Sequence, residues 1–203
     1  MTLGRPRIRC LGGLHHTGSK IGTEEGTMLF VKPKATRVAA VLMLLVGGIA
    51  YWSTSLAQPM PPPRHMATID GHSTVEITYE GDIFIDGKID GGSNVRLTST
   101  RGSITIKEKI DGGSNVALRA AGAVSIGDKI DNPDTRVWLY AGSTARVGGK
   151  IDGGCQVWLR GPGGISVGDK VDNGRTVVRY CGKWSGPPNG VYGGAQVVED
   201  CGW

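Results

Sequence analysis

The chain has 203 residues, 34 of them glycine and 6% aromatic, with 23 Lys and Arg against 18 Asp and Glu and a formal net charge of +5. Seven of the cations and two of the acids lie in residues 1–57, so the remaining 146 residues hold sixteen of each and carry no net charge. A nucleic-acid partner would need a lasting basic surface, so that class drops out, and 146 residues suit one domain.

Residues 1–27 show no periodicity and read as an unstructured extension or a start codon placed too early, since Met28 opens a better beginning. From Met28 the chain has Lys32, Lys34 and Arg37, an apolar run from Val38 to Trp52, and small residues in Ser55-Leu56-Ala57. These are the three regions of a secretory signal peptide over 28–57, with cleavage expected after Ala57. The rival is an uncleaved inner-membrane anchor at 38–52. That run is shorter than the roughly 20 residues a spanning helix needs, and Gly47-Gly48 weakens it. Export to the periplasm or the medium is therefore the expectation. Residues 58–68, with Pro59, Pro61, Pro62 and Pro63, read as an extended spacer.

Over residues 69–181 one refrain recurs: Ile-Asp-Gly at 69, Lys-Ile-Asp-Gly or Lys-Ile-Asp-Asn around Ile89, Ile110, Ile130 and Ile151, and Lys-Val-Asp-Asn around Val171. The steps are 20, 21, 20, 21 and 20 residues, a period that marks a solenoid. Within each unit apolar residues pair at i and i+2, first as Val95/Leu97, Val116/Leu118 and Val137/Leu139, then as Ile83/Ile85, Ile104/Ile106 and Val124/Ile126. Period 2 with β-branched side chains means short strands, and Gly, Asn, Asp and Ser between them mean corners. The expected fold is all-β: a single-domain parallel β-solenoid of about six 20–21-residue coils, right-handed by the crossover rule. The repeat fades after Cys181. Residues 182–203 are too apolar for a free tail and are expected to cap the open end or to strap one face.

The regular Lys and Asp columns invite a metal reading, but the lysines neutralise the carboxylates and an Asp before Gly or Asn is first a turn former. No metal and no cofactor is expected. The sequence shows no nucleophile elbow, no zinc-protease motif and no phosphate loop entering a helix, and uniform coils leave little chain from which to build a cleft, so no enzyme is expected. The outward positions of the first strand run Glu76/Thr78, Arg96/Thr98, Ala117/Arg119, Trp138/Tyr140, Trp158/Arg160 and Val178/Tyr180. Trp138, Tyr140, Trp158 and Arg160 form the candidate binding set, unless residues 182–203 lie over them. A Thr/Ser ladder on the second strand is broken by Phe84 and Arg146. Of Cys155, Cys181 and Cys201, the first sits in a corner and the second at a strand end, so Cys181 with Cys201 is the expected disulfide.

The period and the Ile/Val/Gly spacing of residues 69–181 resemble the short-coil bacterial solenoids of bactofilins and of adhesin-like head-GIN domains. The resemblance implies the fold and transfers no functional residue. Taken together, the expectation is an exported, non-enzymatic structural or binding module of the cell envelope or extracellular space. The alternative is a carbohydrate-binding or polysaccharide-active protein using the aromatic face. The expected partner is an envelope protein or a glycan, not nucleic acid; a membrane would be met only through an uncleaved 38–52, and self-association stays open.

Overall fold

A computed structural model describes residues 58–203, so the leader expectations lie outside the described residues. Twelve strands, all in parallel pairing, form one continuous sheet wound into a β-solenoid. Each coil has three sides. The long side holds six-residue strands such as β2 (Thr74–Tyr79), β4 (Asn94–Ser99), β6 (Asn115–Ala120) and β8 (Arg136–Ala141). The short side holds β1 (Arg64–Met66), β3 (Ile83–Ile85), β5 (Ile104–Ile106), β7 (Val124–Ile126) and β9 (Thr144–Val147). The third side is a column of single bridges through the refrain, from Ile69 to Val191. In coil five the long and short sides fuse into β10 (Gln156–Val167), and β11 (Val177–Trp184) and β12 (Gln196–Glu199) follow on the long side.

The alternation read from sequence sets the register. Val95, Val116, Val137, Val157 and Val178 stack inward, and Leu97, Leu118, Leu139 and Leu159 stack beside them. With the short-side and refrain columns they make a narrow core, almost every member of which is fully buried in the middle coils. One further column is polar. Ser93, Ser114, Thr135 and Thr176 point inward at the corner after the refrain and are fully buried. Their hydroxyls serve the corner backbone: Ser93 donates to the Asp90 carbonyl, while Thr135 and Thr176 accept from the Gly113 and Gly154 N–H groups. Cys155 occupies the same buried column in coil five, which explains a cysteine in a corner.

The expected parallel β-solenoid is present, and three points of detail differ. There are seven coils rather than six, because Val191 bridges Val171 and β12 pairs in parallel with β11. The tail ends the stack as a further coil, closed off inside by Tyr180 and Trp184, whose rings stack at 4.8 Å. These two stand in register with Leu159 and Ile165, so large rings fill the interior where the coil shortens. Second, Val178 and Tyr180 are inward members, not outward ones. The corners beginning Asp131-Asn132 and Asp172-Asn173 carry one more residue than the Gly-Gly corners, and this shifts the following strand by one. Asn132 and Asn173 hold φ values of 86° and 79°, and each side-chain oxygen accepts the N–H two residues on, so Asn marks the longer turn. Third, the proline spacer is not merely a spacer: Arg64–Met66 pairs with β3 and covers the edge of the Ile83 column, and the Pro62 carbonyl accepts the Tyr79 hydroxyl.

The refrain is an ion-pair ladder. Lys88, Lys109, Lys129 and Lys150 each reach the aspartate two residues on at 2.6 Å, and Lys170 does so at 2.7 Å. The second oxygen of each Asp accepts the N–H of the next residue, as at Gly91 and Asn132. Both carboxylate oxygens are thus engaged by the chain itself. The Lys88 ammonium and the Gly91 N–H hold Asp90 below the ordinary carboxylate range, and Lys170 with the Asn173 N–H does the same to Asp172. Lys109 and Lys150 are raised by their aspartates, and burial pushes the Cys155 thiol up to about 12.

A pH prediction follows from these signs. The lowered aspartates add stability above their ordinary value of 3.8, and it is lost as pH falls through their folded values. The raised lysines add stability below 10.5 that is lost as pH climbs through theirs, and the Cys155 contribution begins to fall above 9.0. Melting temperature should be level from about pH 5 to pH 9 and drop on both sides. Calcium should leave it unchanged, whereas a strong rise with calcium and a fall with chelator would mean that the lysines yield the column to metal.

Candidate recognition face

The outward side of the long strands carries the candidate set. Two columns run along it. One reads Glu76, Arg96, Ala117, Trp138, Trp158 and Arg179; the other reads Thr78, Thr98, Arg119, Tyr140, Arg160 and Cys181. Trp138 and Trp158 meet as expected, with ring centroids 4.7 Å apart and planes within 8°. Both are half-buried, Tyr140 likewise, and Arg160 is exposed. A stack between successive coils turns the ring planes across the column. The pair is therefore not a flat platform: each ring has one face on its partner.

The tail reaches this face through its last residue. Trp203 packs edge-on against Tyr140 at 5.3 Å, and its indole Nε1–H is buried without an acceptor. The Cys181–Cys201 disulfide, with Cα atoms 4.9 Å apart, ties coil seven to coil six just before this return. Cys155 stays free and buried. Peptide mapping without reduction should find the 181–201 pair. Alkylation of the native protein near pH 8 should miss Cys155, because the thiol is inaccessible and protonated; rapid labelling under those conditions would show that the corner opens.

Sequence reasoning gave the three aromatic positions and Arg160, and placed Arg96 and Arg119 outward on the same strands, but did not include them or Arg136 in the candidate set. Arg96, Arg119 and Arg136 also project from this side, and with Arg160 they make no ion pair among the described residues. Arg179 is matched with Asp200 at 3.3 Å. The zero net charge concealed this, because a total does not say where charges lie: the refrain pairs are neutral among themselves, and Glu76 is the one carboxylate in the two outward columns. Three adjoining shallow depressions follow the face, of about 560, 830 and 370 Å³. The first lies over Ala117, between Arg96, Arg119, Trp138 and Tyr140.

On the short side the outward column is His65, Phe84, Thr105, Ser125, Arg146 and Ser166. His65 stacks on Phe84 at 5.0 Å and shares Asp86 with Lys107. Lys107 first, then His65, hold the Asp86 carboxyl below its ordinary range. This closes the N-terminal end of that side. No group of three His, Cys, Asp or Glu fit to hold a metal occurs among the described residues.

Trp158 now has a definite cost. It is half-buried and stacked on one side, so Trp158→Ala is expected to lower stability by about 1 kcal/mol, mainly the aromatic pairing. A loss of about 3–5 kcal/mol, as for a core aromatic, would mean that the tail covers more of the face than Trp203 does.

The class defined by these features is an all-strand parallel β-solenoid of seven coils with one disulfide and a cationic, aromatic long side. No family model, no curated protein and no solved structure matches the chain.

Proposed function

We propose that this protein is an exported, non-enzymatic binding module of the cell envelope or extracellular space, and that the long side of the solenoid is its recognition surface for a glycan. The observation that carries the reading is the half-exposed Trp138–Trp158 stack set among arginines without carboxylate partners. Aromatic rings and Arg are the side chains that binding surfaces concentrate, and a rigid stack loses little entropy on binding. The disulfide favours an oxidising compartment. The described residues contain no helix long and apolar enough to cross a membrane. Rigid, uniform coils suit presentation of a fixed surface better than enclosure of a reaction.

The test has two parts. Intact mass of the protein from periplasm or medium should start at Gln58. That protein should be retained by polysaccharide isolated from the producing cell's envelope, and Trp138→Ala should release it. Equal retention of the variant would remove the face from the reading, and shortening of the polysaccharide during incubation would overturn the non-enzymatic assignment.

A further inference from the structure

The depression over Ala117 has a shape and a charge that narrow the ligand. Trp138 is covered on one side by Trp158, so its other face looks toward the coil below. That coil presents Ala117 in the same column, and the next presents Arg96. A methyl group stands where a third ring would continue the stack, leaving a ring-sized slot between the free face of Trp138 and the Arg96 side chain, with Arg119 beside it. The charged groups lining the slot are donors only, and Glu76 lies one coil beyond Arg96 in the same column. Arg96 and Arg119 have no carboxylate partner among the described residues. A neutral sugar brings as many donors as acceptors and leaves guanidinium charge unmatched. A carboxylate or sulfate brings acceptors and the opposite charge, with a geometry Arg can hold by two hydrogen bonds.

Building on the reading of this face as a glycan-binding surface, we propose that the slot seats one acidic sugar of an anionic polysaccharide. The apolar face of the pyranose lies on Trp138, and its carboxylate or sulfate lies between Arg96 and Arg119. The polymer then runs along the solenoid axis. Arg119 and Arg160 stand in one column on either side of Tyr140, two coils or about 10 Å apart, so a second acidic group is met further along the same chain.

Calorimetric titration of the mature protein with hexagalacturonate and with neutral cellohexaose tests this. Ala117→Trp extends an outward stack and fills the slot without touching the core, and Arg119→Gln removes one charge from its rim. Arg146→Gln makes the same charge change on the short side. Hexagalacturonate should bind, weaken steeply with salt, and lose about tenfold or more in affinity with Arg119→Gln. Ala117→Trp should abolish binding with the melting temperature kept, and Arg146→Gln should change nothing. If Ala117→Trp does not fold, the contrast between the two arginine variants decides alone. Equal binding of both hexasaccharides with Arg119→Gln silent would overturn the acidic ligand while leaving a glycan-binding face intact. Tighter binding of a single-stranded oligonucleotide than of hexagalacturonate would overturn it in favour of a nucleic acid. Binding of neither hexasaccharide would overturn it outright.

Discussion

Leu118→Ala is expected to lower the unfolding free energy by about 3–5 kcal/mol, the upper part of the range for buried leucines. Leu118 lies in β6 in the third of seven coils and is fully buried. Its column neighbours, Leu97 and Leu139, are held by backbone ladders to the coils on each side. They cannot move in to fill the space, because a solenoid fixes the coil spacing by hydrogen bonds rather than by side-chain volume. The cavity should therefore persist and the full cost should appear. A truncation to alanine at the open end, Val197→Ala in coil seven, should cost well under half as much, since it removes one carbon fewer and Val197 is only partly buried there. Urea denaturation of the two variants measures the contrast. Equal losses would mean that the coils do not form one column.

The second large effect is at a turn. Gly112 follows the Asp of the refrain with a φ of 67°, and a Cβ there would fall against the backbone nitrogen of Gly91 and the carboxylate of Asp90 in the coil below. Neither can yield: the Gly91 N–H is bonded to Asp90, and Asp90 also holds Lys88. Gly112→Ala therefore combines a left-handed conformation, about 1–2 kcal/mol for an L-residue, with steric overlap of about 1–3 kcal/mol. A loss of roughly 3 kcal/mol in thermal or chemical denaturation is expected. By contrast, Asp111→Ala removes one turn hydrogen bond and a half-buried ion pair, and should cost about 1 kcal/mol. If Gly112→Ala were neutral, the corners would not stack as closely as the ladder requires.

What the sequence showed and what it hid divide along physical lines. The refrain and the paired inward residues were legible because each depends on a spacing repeated coil after coil, and the Cys181–Cys201 pair because Cys155 sits in a corner, away from the strand end that holds Cys181. The seventh coil was not, because Gly190-Val191-Tyr192-Gly193 keeps the bridging Val191, which is exposed at the open end, but drops the Lys–Asp pair that signals a coil. Inside a stack that ladder balances charge between neighbours, and a terminal coil has a neighbour on one side only. The inward turn of Val178 and Tyr180 was hidden by one added residue in the Asn173 corner, since a slip of one reverses every side chain in a strand. The proline segment concealed β1 because a single edge strand needs few donors. At the candidate site the columns of Trp138, Tyr140, Trp158 and Arg160 followed from counting. That the tryptophans stack on each other, and so open a slot over Ala117, depends on side-chain rotation that spacing does not encode. Nor does anything in the repeat foretell that Trp203 returns to Tyr140.

The central claim is that the long side, around Trp138 and Ala117, is an open surface that takes an acidic glycan. Backbone and indole N–H chemical shifts of the isotope-labelled mature protein, followed during titration with hexagalacturonate, test it most directly. The account predicts saturable changes confined to the long side, at Arg96, Ala117, Arg119, Trp138, Tyr140, Arg160 and the Trp203 indole, with the Lys–Asp ladder on the refrain side undisturbed. Changes centred on the ladder or the short side, or none at concentrations that saturate other glycan-binding proteins, would contradict it.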